Sequence, residues 1–336
     1  MTNAMARFLR IIIPSLLAMG LVVGGDAVLA VAAAAPGADT LVLTPRGVVP
    51  LVSGTLSPKP VIPLLGGRAI AVSPDGQTAW VGTQAWSLVP VDLATRTKGT
   101  PIALGANIRS VAATRDGRRV WSVIQSATRA SLVAVNPMTR KVTKRIALGA
   151  TAESLVLTGD GATAFVTDPD ASFETNGAVL PVNLAASSLG PHILVGGALG
   201  GLALAPGGHT VWVVRQSDDQ ANPAGILPIS VASHTVGRVI PTAYFSTGIA
   251  ITPDGRYAVV GDIESVRRIN LATRASLIRT PVIHAIGPVV IARDGRTTLI
   301  GVQGEDEPNY VQKFDVVTGM LTGRRNMTVI AAVALP

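Results

Sequence analysis

Three charged residues stand at the same position in successive copies of a repeated turn. Arg68, Arg109 and Glu153 each lie seven residues before the aspartate of an Asp-Gly pair. Guanidinium groups donate paired hydrogen bonds to carboxylates and phosphates, and a carboxylate accepts hydrogen bonds from sugar hydroxyls. If the fold brings these copies together, the pattern predicts a site for a small carboxylate, phosphate or sugar. The alternative interpretation is mutual ion pairing around a water-filled opening.

Acidic residues in loops form a second group of candidates. Asp168, Asp170 and Glu174 occupy positions one, three and seven of "DPDASFE". Hard cations prefer oxygen ligands, but this stretch lacks the glycine and the terminal glutamate of an EF-hand loop, so no metal site is predicted. A solvated loop, or a polar lid over a ligand pocket, explains these residues better. Further candidates in equivalent loops are Trp86, Asp218, Asp219, Glu305 and Asp306.

No catalytic constellation is visible in the sequence. The four histidines share no ligand spacing, and the GxSxG, HExxH and CxxCH signatures are absent. Cysteine is also absent, which excludes disulfides, thiolate metal sites and a lipidated cysteine anchor. We therefore expect no cofactor, and the sequence leaves open whether the protein is an enzyme.

The elements that must position these residues belong to a repeat. The turn recurs six times with spacings of 40 to 47 residues, centred on Asp75, Asp116, Asp160, Gly207, Asp254 and Asp294. Each copy reads as an apolar strand, a tight turn, a second strand, a third strand such as "LVPVDLATRT", and a fourth such as "KRIALG". A period of this length with four short strands, A to D, is typical of a β-propeller blade.

Six turns predict seven blades, because the two ends of the chain complement each other. Residues 39–66 align with strands B, C and D of a unit, and residues 328–336 supply the missing strand A. Closure of this kind removes free sheet edges. The predicted fold is therefore all-β: a seven-bladed propeller of four antiparallel strands per blade, closed by a C-terminal strand A that joins the N-terminal strands B, C and D.

The repeat resembles the YVTN-repeat, or YncE-like, propeller family. The resemblance rests on an aromatic or apolar residue followed by Val and a small residue, then "V-x-V-D-x-x-T" and "I-x-L-G", with Phe165-Val166-Thr167-Asp168 as the nearest copy. It covers nearly all of the chain after residue 38. It implies the propeller fold and does not specify a function. In a propeller the B–C and D–A connections lie on one face, here called the top face, where the inner strands should bring Arg68, Arg109 and Glu153 to the mouth of the channel.

Repeated aromatic positions indicate packing. Trp80, Trp121 and Trp212 each follow the turn residue by five positions, and Phe165 shares that place. A residue class repeated in register predicts contact between blades. Trp86 lies outside this register in a B–C loop, where it could contact a ligand.

The first 35 residues differ from the rest of the chain. Arg7 and Arg10 precede the apolar run "IIIPSLLAMGLVVGG", and small residues suitable for cleavage follow. This pattern predicts an export signal over residues 1–35, with an uncleaved anchor as the alternative, and a single propeller domain over residues 36–336. The expected location is extracellular or at the cell envelope.

The charge of +8 is distributed unevenly. Residues 108–152 hold nine bases and one acid, whereas residues 153–199 hold five acids and no base. Basic residues fall in the A–B and C–D turns of the bottom face, which could contact an anionic membrane weakly. Binding of nucleic acid is not expected, because interleaved aromatic residues are missing and the chain is predicted to be exported.

Together these patterns predict an exported, monomeric binding or interaction module. Its partner would be a small anionic ligand, or an envelope protein or polymer, held at the top face and the mouth of the channel. The alternative is a lactonase-like hydrolase or a subunit of a cofactor-dependent oxidoreductase on the same fold.

Overall fold

The chain folds into seven antiparallel sheets arranged around a central axis. The computed structural model describes residues 40–168, 177–216, 222–282, 286–303 and 308–335. The innermost strand of each sheet contacts the innermost strands of the two neighbouring sheets, and the last such contact closes the ring. The described residues are all-β, and none of them forms a helix that is long and apolar enough to cross a bilayer. The fold is a seven-bladed β-propeller, as predicted.

The strands follow the chain in the order expected for such a ring. Blade 1 takes β1 (Thr40–Thr44), β2 (Gly47–Val52), β3 (Ser57–Pro58) and β4 (Ile62–Pro63). Blade 2 consists of β5 (Gly67–Val72), β6 (Thr78–Thr83), β7 (Ser87–Asp92), β8 (Thr97–Lys98) and β9 (Ile102–Ala103). Blade 3 consists of β10 (Asn107–Ala113), β11 (Val120–Gln125), β12 (Ala130–Asn136) and β13 (Lys141–Gly149). Blade 4 consists of β14 (Leu155–Leu157), β15 (Thr163–Asp168), β16 (Ala178–Asn183), β17 (Ser188–Leu189) and β18 (Ile193–Leu194).

The second half of the ring repeats this plan. Blade 5 consists of β19 (Ala198–Leu204), β20 (Thr210–Gln216), β21 (Gly225–Ser230) and β22 (Ile240–Pro241). Blade 6 consists of β23 (Gly248–Ile251), β24 (Tyr257–Gly261), β25 (Ser265–Asn270) and β26 (Ala275–Pro281). Blade 7 consists of β27 (Ile286–Ile291), β28 (Thr297–Val302), β29 (Tyr310–Asp315) and β30 (Leu321–Asn326). The last strand, β31 (Ala331–Ala334), returns to blade 1.

Strand β31 closes the ring in the way the sequence predicted. It pairs antiparallel with β1, with Val333 opposite Leu41 and Ala331 opposite Leu43. The ladder continues one step further, since the Ile330 N–H donates to the Leu43 carbonyl at 2.7 Å. The regular strand covers only the centre of the predicted segment 328–336. It leaves the inner edge of β1 paired, as a closed propeller requires.

The A–B turns gain a hydroxyl–carboxylate pair that was not anticipated. In blade 3 the Thr114 hydroxyl donates to Asp116 Oδ1 at 2.6 Å and accepts from the Arg119 N–H at 3.1 Å. Gly117 takes a φ of 67°, the left-handed conformation that the turn requires. Thr158 with Asp160 and Thr252 with Asp254 repeat the arrangement. In these three turns the hydroxyl two residues before the aspartate therefore belongs to the motif, whereas the turn of blade 7 has Ala292 at this position.

The core lies between blades. Trp80 packs with residues of blade 3, and Trp121 with residues of blade 4. Trp80, Trp121, Phe165 and Trp212 are all at most 5% exposed. The prediction that the repeated aromatic register serves inter-blade packing is confirmed.

The outer strands differ from the single strand D that the repeat suggested. In blades 1, 2 and 4 strand D is split into two-residue pieces, and prolines lie in or between them at Pro60, Pro101 and Pro191. In blade 3 the segment without proline forms the nine-residue strand β13. Proline lacks the N–H that a continuous ladder needs, which explains the interruption in these three blades. In blade 5 the outer strand is also interrupted, between a bridge at Val236 and β22, without a proline between the two pieces.

Cationic side chains join consecutive blades through backbone carbonyls. Lys144 Nζ of blade 3 donates to the Leu184 carbonyl of blade 4 at 2.8 Å. Arg268 Nη1 of blade 6 donates to the Val316 carbonyl of blade 7 at 2.6 Å. Lys313 of blade 7 reaches the Gly54 carbonyl of blade 1 across the closure. Part of the excess of basic residues is thus structural.

Candidate functional site

β-Bulges lie at the top of several inner strands, at the position that the repeat singled out. The register of β5 shifts between Gly67 and Ala69, and that of β10 between Ile108 and Ser110. The residues left over are Arg68 and Arg109. The faces of a blade point at its neighbours, so a regular inner strand would direct side chains between blades. A bulge re-aims the side chain of the extra residue, so Arg68 and Arg109 need not point between the blades.

The structure brings together the three charged residues predicted from the sequence. Arg109 Nη1 lies 3.8 Å from Glu153 Oε1. Both side chains are only partly covered, at 29% and 25% exposure. Arg68 lies near enough to Arg109 for the charge of Arg109 to help lower the pKa of Arg68. Two guanidinium groups and one carboxylate therefore occupy one side of the channel mouth.

The charges of this cluster are imperfectly balanced. Burial, followed by the nearby Arg109 cation, lowers the pKa of Arg68 below its ordinary value. Burial raises the pKa of Glu153, and Arg109 only partly opposes that effect. The buried Arg109 Nε has no hydrogen-bond partner within the described part of the chain. The cluster is thus a partly desolvated cationic site with an unused donor.

The opposite side of the mouth is formed by backbone and small residues. Gly200 occupies the position equivalent to Arg68, and the Gly201 N–H donates to the Thr247 carbonyl at 3.0 Å. A Cβ atom at Gly200 would lie 2.9 Å from that carbonyl oxygen. The connection into blade 6 therefore passes directly over the top of blade 5, and glycine permits this approach.

This connection carries two aromatic residues that sequence reasoning missed. The rings of Tyr244 and Phe245 lie 3.8 Å apart between centroids, and Tyr244 is 40% exposed. Phe245 has a φ of 59°, which is strained for a bulky residue. An adjacent aromatic pair just before strand A, in a chain with 4% aromatic residues, was the available signal.

Trp86 lies on the top face, in the B–C turn of blade 2, as predicted. Its side chain is 53% exposed, and its φ of 59° places a bulky residue where glycine is usual. The Gln84 N–H of the same turn donates to the Gly66 carbonyl at 2.7 Å, next to the exposed Leu65. Trp86 and Leu65 thus give this part of the top face an apolar surface.

Asp168 is the one predicted loop acid within the described residues. It ends β15, and its carboxylate accepts a hydrogen bond from the Thr151 hydroxyl in the connection from blade 3. Asp168 therefore joins two top-face loops. The remaining predicted acids lie outside the described residues: Asp170, Glu174, Asp218, Asp219, Glu305 and Asp306. Within the described chain, no three His, Cys, Asp or Glu residues cluster as metal ligands.

The bottom face is less uniformly basic than predicted. The aspartates of the A–B turns lie there together with the arginines. Asp315 in the last C–D turn pairs with Arg296 at 2.7 Å. In the bottom turns of blade 3, Arg115, Arg118, Arg119, Arg140 and Lys141 accompany the single acid Asp116. The cationic excess is therefore concentrated on blade 3.

Comparisons with known proteins support the fold and leave the family open. No protein-family model and no curated protein matches the chain. A chain of hydrazine synthase from Kuenenia stuttgartiensis superposes with a TM-score of 0.69 at 15% identity, covering 89% of this chain and 98% of that chain. A functionally unknown protein from Desulfotomaculum acetoxidans DSM 771 gives a TM-score of 0.72, also at 15% identity, with 87% and 96% covered. At this identity the similarity shows a shared fold.

Proposed function

We propose that this propeller is a binding module that holds a small anionic ligand at its channel mouth. The observation that carries the proposal is the pair of bulged residues, Arg68 and Arg109. An anion between the two guanidinium groups would relieve their repulsion and could accept from the unused Arg109 Nε. Trp86, Tyr244 and Phe245 would supply apolar contacts from the surrounding loops.

The proposal includes the YVTN-repeat type and an exported location. The repeat pattern supports the first, and the signal-like composition of residues 1–35 supports the second. The top face would then meet ligands or partners outside the cytoplasm, at the envelope or beyond it. The hydrolase or oxidoreductase alternative needs further acids, histidines or a metal at the mouth, and among the described residues only Glu153 is available there.

Isothermal titration calorimetry with citrate and with inorganic sulfate tests the binding site. We expect one anion per chain, with affinity falling roughly tenfold or more in Arg68→Gln and in Arg109→Gln, since each removes a charge-assisted hydrogen bond. Arg129→Gln is the matched control, because Arg129 is exposed on the top face of the same blade but lies in its outer B–C turn. Its affinity should equal that of the unaltered protein.

The raised pKa of Glu153 adds a pH signature. When Glu153 takes up a proton, the carboxylate beside Arg109 loses its charge, so sulfate should bind more tightly as the pH falls from 8 to 5. Sulfate keeps its charge over this range. Absence of stoichiometric binding, or affinity that persists in the Arg68→Gln/Arg109→Gln protein, would refute the proposal.

A further inference from the structure

A groove separates blades 2 and 3 on the bottom face, away from the channel mouth. Its volume is about 400 Å³, which lies in the range of pockets that bind small molecules or peptide side chains, about 300–1,000 Å³. Trp80, Pro90 and Val120 contribute an apolar floor. Met138 stands at the rim with 90% of its surface exposed.

The acidic residues that line this groove are already engaged within their turns. Asp75 Oδ1 accepts from the Gln77 N–H at 2.9 Å and from the Ser73 hydroxyl. Asp116 Oδ1 accepts from the Thr114 hydroxyl, and its second oxygen lies 3.8 Å from Arg118. Asp116 also lies near enough to Arg119 for that cation to help lower its pKa, but among the described residues neither carboxylate forms an ion pair with Arg119 or Arg140.

The two arginines of the groove are available, in contrast. Arg119 and Arg140 both line it and are exposed. Among the described residues, neither guanidinium has a carboxylate partner. The rim of the groove is therefore cationic, and the other basic turns of blade 3 extend the same charge around it.

Arg140 also differs from the two other arginines at its turn position. Arg96, Arg140 and Arg274 all adopt φ values between 55° and 60° in the C–D turns. Arg96 donates to the Pro60 carbonyl and Arg274 to the Arg238 carbonyl, in each case on the preceding blade. Arg140 makes no equivalent bond in the described structure. Its guanidinium is thus free for an external partner.

The turn that presents Met138 and Arg140 is held rigidly. Asn136 Oδ1 accepts from the Met138 N–H at 2.9 Å and from the Thr139 N–H at 3.0 Å. The Asn136 carbonyl accepts from the Arg140 N–H at 2.8 Å. An ordered turn lowers the entropic cost of binding to it.

We propose that this groove binds an acidic peptide segment of a partner protein. An apolar side chain of the segment would insert between blades 2 and 3 against the floor and Met138, and flanking carboxylates would pair with Arg119 and Arg140. Charge complementarity selects an acidic partner. The concave shape favours a protruding peptide over a flat bilayer.

Selection from a phage-displayed random heptapeptide library on the full chain tests this proposal. We expect enrichment of peptides in which at least two Asp or Glu residues flank a large apolar residue. A selected peptide, labelled with fluorescein, would then be titrated by fluorescence anisotropy. Its affinity should fall roughly tenfold or more for Arg119→Gln/Arg140→Gln. It should also fall for Met138→Ser, and for a peptide whose apolar residue is replaced by serine.

The matched control is Arg115→Gln/Lys141→Gln, which removes the same charge from the bottom turns of the same blade outside the groove. It should bind like the unaltered protein. Equal weakening by both double variants would assign binding to diffuse charge and overturn the proposal. A library selection without enrichment of acidic peptides would also overturn it. The same holds if no peptide binds and phosphatidylserine vesicles bind in a way that requires Arg119 and Arg140. The altered side chains are exposed, and the serine-substituted peptide tests the groove on the unaltered protein.

Discussion

Removing β31 should open the ring, and its contacts set the size of the effect. Ala331, Ala332 and Val333 are at most 8% exposed, and their buried side-chain carbons contribute about 4 kcal/mol. About four ladder hydrogen bonds contribute a similar amount. Releasing four ordered residues returns roughly 6 kcal/mol of conformational entropy. The strand itself is therefore worth only about 2 kcal/mol.

Removal of β31 should destabilise the protein further by exposing residues of β1. Leu41, Val42 and Leu43 are fully buried, and their partial exposure should cost about 3 kcal/mol more. A loss of about 5 kcal/mol is a large share of the stability of a typical domain, about 5–15 kcal/mol. For a domain of this size it corresponds to a melting temperature lowered by about 10 °C.

The assay is thermal unfolding of a chain that ends at Ile330, together with light scattering after gel filtration. The uncovered edge of β1 should promote association. A synthetic peptide of residues 328–336, added in trans, should restore the melting temperature, whereas the same peptide with Val333→Asp should not. A truncated chain that stays monomeric and melts at the original temperature would refute the closure argument.

Two further predictions concern single positions. Gly200→Ala should destabilise the fold by about 1–3 kcal/mol, because its Cβ would lie 2.9 Å from the Thr247 carbonyl oxygen. A Cβ atom at Gly287, the equivalent position in blade 7, would lie 3.6 Å from the Gly301 carbonyl oxygen. Gly287→Ala should therefore lower the free energy of unfolding in urea less than Gly200→Ala does. Equal losses would contradict this account. Separately, the Thr158 hydroxyl and a backbone N–H lower the pKa of Asp160. Its contribution to stability is complete above the ordinary carboxyl pKa of about 4 and is lost as the pH falls through the lower folded value. Thr158→Val should flatten this loss between pH 5 and 2 in urea titrations, and an unchanged slope would count against the turn assignment.

The sequence predicted the architecture because each repeat is marked by residues that form a tight turn locally. The Asp-Gly turns and the complementary ends of the chain sufficed to place seven blades and their closure. The positions of Arg68, Arg109 and Glu153 at one mouth followed from register alone.

Other features depend on contacts between distant residues. The bulges at Arg68 and Arg109 leave no mark in the apolar pattern. The approach of Thr247 to Gly200 depends on how two blades pack. Arg140 is available because, within the described structure, its guanidinium makes no hydrogen bond to blade 2. Such properties could not be predicted before the blades were placed side by side.

The bonds from Lys144, Arg268 and Lys313 to the next blade end on main-chain oxygen atoms. Every residue type carries such an oxygen, so the acceptor persists whatever side chain the neighbouring turn acquires. Only a change in the path of the backbone would remove it. The contacts between blades therefore tolerate substitutions in the turn that supplies the acceptor. Each such turn can change in sequence without a compensating substitution in the blade that donates the hydrogen bond. Repeats joined in this way can lose their mutual similarity while the ring stays intact.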